Sequence, residues 1–173
     1  MLVLASTEFE ANAKSILTIN GYSEAGNWNI SDYYKLNSVM RLSEYIITIP
    51  IWDGNYRTIQ PFAQWKSSHS LAWYQDYNKV KHNRASAFSS ASFGNAVTAV
   101  AAVFTIVFAQ FYILAFDPHH TVEFYSSSDN ILSHNSCLLY VELPTSWTLA
   151  EQYDFDWQTL LVTDPLPFQK YPF

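Results

Sequence analysis

The chain has 173 residues and one cysteine, Cys137, which allows one sizeable core and excludes both an internal disulfide and a cysteine pair for zinc. Hydrophobic residues make up 49% and charged residues only 14%, a composition that excludes a disordered chain. The formal net charge of -6 is uneven: residues 1–116 carry seven acidic and eight basic side chains, whereas residues 117–173 carry eight acidic ones and only Lys170. The first part is therefore the better host for a phosphate-bearing ligand. A lone cysteine and the lack of a basic, apolar leader in residues 1–15 point to a reducing cytoplasm.

Thr7-Glu8-Phe9-Glu10 reads as a capping box, with Thr7 as N-cap and Glu10 reaching back to its amide. Phe9, Ala13, Ile16 and Leu17 then share one helical face, and Asn20-Gly21 closes the helix. Leu2-Val3-Leu4 is an alternative, earlier start to the same helix. Ser31-Asp32 is the expected cap of a second helix running to about Ile47, with Leu36, Val39, Met40, Ser43, Ile46 and Ile47 inside and Pro50 as its stop. The stretch "IWDGNYRTIQ" reads as a loop turning at Asp53-Gly54.

Pro61 suits the first position of a third helix, in which Trp65, His69 and Trp73 fall along one side. His69 is expected there as a satisfied core histidine. The helix ends in "YNKVKHNR", Tyr77 to Arg84, which holds three of the nine Lys and Arg residues in eight positions. Cations at a helix C-terminus are favoured by the helix dipole, by about 0.3–1 kcal/mol each. A fourth helix is expected from Ser89 or Ser90, and its run from Ala96 to Phe116 is apolar enough to cross a membrane. The inward stripes of the other three helices favour a buried centre over a span at 96–116, so a membrane partner is not expected.

After Asp117-Pro118 the pattern shifts to short β-prone runs, "TVEFY", "CLLYVEL" and "WQTLLVT", and ends in proline-rich irregular chain. Two regions follow: a helical bundle over 1–116 and an acidic, aromatic appendage over 117–173 packed on it. The fold class expected is all-α, a four-helix up-and-down bundle with an irregular, partly β C-terminal appendage.

Asp117, His119, His120 and His134 match no metal-ligand spacing, and there is no phosphate-binding glycine loop or serine-hydrolase elbow, so neither a metal nor a cofactor is expected. The chemistry concentrates instead in the Tyr77–Arg84 stretch. Asn78 and His82 lie one helical turn apart on one face, with Lys81 beside them and Arg84 about half a turn on. Such a group can bind a phosphate through Lys79, Lys81 and Arg84, orient it with Asn78, and move a proton with His82 near neutral pH. The same residues read structurally are a polar helix end bonded to its neighbours.

"WYQDYNKVKHNRASAF", followed by "ASFGNAVTAVAAVF" and preceded by the helix "TEFEANAKSIL", resembles the HEPN superfamily of small all-helical ribonuclease and nucleotide-binding bundles. The resemblance covers about residues 1–116. In that family an Arg, a polar residue and a His four to six positions after the Arg act on a scissile phosphate, often across a two-fold dimer. Asn78 and His82 stand at the polar and His positions; Tyr77 stands where the Arg belongs, in a supporting place. The resemblance implies a cytoplasmic RNA- or nucleotide-binding protein of toxin or phage-defence type, cutting RNA without a metal if active. It also implies a protein antitoxin or regulatory partner and a second copy of the chain. The alternative is a non-catalytic protein-interaction module with a degenerate site.

Overall fold

The computed structural model describes residues 1–24, 26–111, 122–125, 138–148, 162 and 170–173. Its described residues form four α-helices, α1 (Leu2–Ile19), α2 (Ile30–Met40), α3 (Ala72–His82) and α4 (Phe93–Phe111). They also form four short strands, β1 (Ile46–Thr48), β2 (Thr58–Ile59), β3 (Val122–Tyr125) and β4 (Leu139–Glu142). The protein is thus mostly helical with one small sheet, of strand order β2-β1-β4-β3. β1 runs antiparallel to both β2 and β4, and β4 runs parallel to β3. The sheet therefore joins chain from both sides of residue 116. The β-prone run over 157–163 lies outside the described residues, Val162 apart, as do the turns before and after β3.

α1 starts at Leu2 rather than at Thr7. Thr7 is not a cap: its hydroxyl donates to the Val3 carbonyl at 2.9 Å, the back-bond of a mid-helix threonine. The other end follows the sequence reading. Gly21, at φ +91°, lets Tyr22 N donate to Leu17 O at 3.0 Å and Gly21 N to Thr18 O at 2.9 Å, the paired bonds of a Schellman closure.

α2 is capped at Asn29, two residues before Ser31. The Asn29 side chain accepts from Ser31 N, and the Asp32 carboxylate accepts from Asn29 N, both at 2.9 Å. It ends at Met40 and does not reach Ile47. Arg41 turns left-handed at φ +51°, and the Asn37 side chain takes the amide of Ser43 at 2.8 Å, so the helical ladder is replaced by a side chain. The next residues, Ile46-Ile47-Thr48, are β-branched and go extended as β1, pairing with Thr58-Ile59 across the Asp53-Gly54 loop.

The third expected helix is two pieces. Ala63–Lys66 is a 3-10 turn, and α3 begins only at Ala72. Between them lie three serines whose hydroxyls compete for backbone: Ser68 Oγ donates toward Gln64 O and accepts from Ser70 N, both at 3.3 Å. The Gln64 side chain then accepts from Ala72 N at 2.6 Å, serving the first turn of α3. α4 is started by Ser92, not Ser89 or Ser90; its hydroxyl accepts from Asn95 N at 3.1 Å.

The core is aromatic and centred on Phe9, which is fully buried. Its ring lies 5.5–6.5 Å from those of Tyr33, Phe62, Trp65, Trp73 and Tyr74, mostly edge to face or tilted. Trp73 also donates its indole N–H to Pro61 O at 2.8 Å, binding α3 to the chain before it. α4 packs most extensively on α1, and Ala96, Ala99, Ala102, Ile106 and Phe108 are among its buried residues. It is the one helix among the described residues long and apolar enough to cross a membrane, and half of it is buried inside the protein. Residues 112–116 of the apolar run lie outside the described residues.

Phe9→Ala should therefore cost about 3–5 kcal/mol, because five rings lose a common partner. Leu4→Ala, at 76% exposure on the same helix, should change stability by no more than about 0.5 kcal/mol. Urea unfolding of both variants checks this; near-equal effects would mean that Phe9 is not the hub.

Candidate functional site: the C-terminal end of α3

Three groups on α3 point toward its packing partners. Tyr77 is fully buried, against Tyr74 at a ring distance of 5.5 Å. Tyr74 donates its hydroxyl to Glu10 Oε1 of α1 at 2.6 Å, and Lys81 Nζ lies 3.5 Å from Glu10 Oε2. Glu10 is thus a buried carboxylate, 8% exposed, held by a phenol and an ammonium that lie about two turns apart on α3. It does not reach back to an N-cap, as a capping box would need.

The electrostatics follow from this burial. Burial, and then the hydrogen bond to Glu10, raise the Tyr74 phenol well above its ordinary range, so it remains a donor. Lys81 is held above its usual range by the Tyr77 hydroxyl and by Glu10, against an opposing effect of burial. The Tyr77 oxygen makes no hydrogen bond of ordinary geometry, so it acts on Lys81 by proximity. The Lys81 ammonium also sits 5.1 Å from the centroid of the Tyr77 ring.

Lys79 is engaged too. Its ammonium lies 2.7 Å from Asp76 Oδ1, while Asp76 Oδ2 accepts from the Asn95 side chain at 2.8 Å. Lys79 first, then Asn95, hold the Asp76 carboxyl below the usual range. Asn95 binds Ser90 O as well, at 2.9 Å, so this one carboxylate pins the start of α4 and the turn before it to α3.

What remains unengaged is narrower than the sequence cluster. Among the described residues, the side chains of Asn78, His82 and Arg84 have no partner; Asn78 is half-buried, and His82 and Arg84 are exposed. Asn78 and His82 share a helix face, with His82 the last residue of α3, and Arg84 lies in the turn beyond it. The expected polar and proton-transfer residues are thus together and open to solvent. The three expected cations are not equivalent: Lys79 and Lys81 face carboxylates, and only Arg84 is without one.

A neighbouring feature escaped the sequence reading. Trp52, from the loop between β1 and β2, stacks on Phe93 at the start of α4, with rings 5.5 Å apart and 29° between planes. Trp52 stays 39% exposed, Phe93 59% and nearby Phe88 70%. Gly94 admits the Tyr56 phenol from the same loop, in space that a Cβ would occupy. The only signal for this patch in the sequence was aromatic residues at a predicted turn and a predicted cap, which periodicity cannot pair.

His69 is not a core residue on α3. It lies in the loop before that helix, exposed, with its ring stacked on Tyr34. Among the described residues no group of His, Cys, Asp or Glu could hold a metal ion; Asp117, His119, His120 and His134 lie outside them. No family model matches the chain, and no curated protein or solved structure is significantly similar to it.

Glu10→Ala should cost about 1–3 kcal/mol, since it strands the buried Tyr74 hydroxyl. Glu10→Gln keeps an acceptor there and should cost less than half as much. Thermal unfolding of the two variants decides it, and equal losses would mean that the tyrosine bond contributes nothing.

Proposed function

We propose that this protein binds single-stranded RNA at the C-terminal end of α3 and does not cleave it. The observation that carries this reading is an exposed aromatic stack, Trp52 on Phe93, tied to α3 through Asn95 and Asp76. Asp76 to His82 is six residues, or about 9 Å along the helix. The stack is thereby linked to the helix that carries Asn78 and His82. Aromatic faces beside a few cations suit single strands, whose bases are free to stack.

The burial of Tyr77 supports binding over cleavage. At the place where an HEPN ribonuclease carries its arginine, this chain has a core side chain that offers no cation to a phosphate. Helix order and the Asn78–His82 pair support reading α1 to α4 as an HEPN-like bundle. The packing of α4 on α1 supports a core helix and a cytoplasmic protein rather than an anchored one.

Each phosphate contact contributes about -0.7 to the slope of log K against log salt for a single strand. Arg84→Ala should remove about one such unit and weaken binding of labelled oligonucleotides at low salt. Phe93→Ala should weaken binding by about 1–3 kcal/mol, with little change in the salt slope. Wild type should leave the RNA intact in EDTA. Cleavage that His82→Ala abolishes would make the chain a ribonuclease; no binding by folded wild type would leave the aromatic stack as a surface for a protein partner.

A further inference from the structure

A second site lies away from the α3 end. The outer side of α2, the loop holding His69 and the segment 171–173 line an open cavity of about 440 Å³, within the usual span for small-molecule sites. The Tyr171 amide fastens the segment in place by donating to Asn20 Oδ1 at 2.7 Å, beside the closure of α1. Tyr171 and Phe173 bring their rings to within 5.0 Å of each other at the cavity edge.

We infer that this cavity is a binding site for a small planar anion, an aromatic ring bearing one phosphate or carboxylate group. Its walls fit both halves of such a molecule. Trp65 meets Tyr34 edge to face at 5.8 Å, and Tyr34 stacks on His69 with centroids 3.9 Å apart. The imidazole is exposed, its face away from Tyr34 has no ring contact among the described residues, and neither ring nitrogen has a partner there. A planar ring laid on that face extends the Tyr34–His69 stack by one member.

The formally charged side chain of the described lining is a cation, which favours an anionic group on the ligand. Lys35 lines the cavity, its ammonium 5.1 Å from the Tyr22 ring centroid and paired with no carboxylate among the described residues. Among the described side chains that line it, none is acidic, although the chain carries fifteen Asp and Glu. The Ser31 hydroxyl on the same wall has no protein partner and can donate to an anionic oxygen. The Asn37 side-chain oxygen is already used by Ser43 N, which leaves its NH₂ to donate as well.

Calorimetric titration of the full chain with adenosine 5′-monophosphate, indole-3-acetate, adenosine and inorganic phosphate tests this. At least one of the two aromatic anions should bind saturably, and about tenfold or more tighter than adenosine or phosphate. Which of them binds identifies a phosphate or a carboxylate as the anionic group. Lys35→Met should weaken that ligand by about tenfold while sparing RNA binding at the α3 end. His69→Ala should weaken it and remove the preference over inorganic phosphate. Both positions are at least partly exposed, so both variants should keep the wild-type circular dichroism. Two results overturn the inference: no saturable binding of either anion, or binding that neither substitution alters in folded protein.

Discussion

The arrangement depends on one buried carboxylate. Glu10 is nearly enclosed between α1 and α3, and a carboxylate there is tolerated only with partners. It takes both from one helix, the Tyr74 hydroxyl and the Lys81 ammonium, and so fixes the rotation of α3 against α1. That rotation puts Trp73, Tyr74 and Tyr77 into the ring cluster around Phe9 and turns His82 outward. One pairing therefore orders the core and decides which polar groups of α3 face solvent.

The same pairing reduces the charge of the surface. Four basic or imidazole groups cluster at the end of α3, but Glu10 and Asp76 each hold a lysine. The exposed group able to meet a phosphate is then Arg84 with His82 and Asn78. For the proposed RNA binding, a small cationic count implies a shallow salt dependence, with stacking on Trp52 and Phe93 supplying much of the affinity. The cavity beside α2 follows the opposite design, with one lysine unpaired among the described residues, an exposed imidazole and no acidic side chain in its described lining.

Much of the helical content was legible in the sequence because the signals were local. Gly21 marked the end of α1, and the apolar run marked the body of α4. The errors came where side chains compete with the helical ladder. Asn37 and Arg41 end α2 early, three serines split the segment after Pro61, and β-branched Ile46-Ile47-Thr48 passes to the sheet. The candidate site was half legible. Asn78 and His82 lie one turn apart on α3, as helical spacing expects, but the carboxylates that occupy Lys79 and Lys81 were not foreseen. Glu10 comes from α1, 71 residues before Lys81, and no periodicity within α3 points to it. The Trp52–Phe93 stack and the Tyr34–His69 stack are likewise contacts between distant segments that the sequence pattern does not pair.

The central claim is that Glu10, by holding Lys81, limits how many phosphates the end of α3 can meet. The most direct measurement is the salt dependence of single-stranded RNA binding for wild type and Glu10→Gln, with unfolding curves to show that both are folded. Release of Lys81 should tighten binding at low salt and steepen the slope by about 0.7, the contribution of one further phosphate. An unchanged affinity and slope in a folded Glu10→Gln protein would contradict the account, and would place the RNA away from the end of α3.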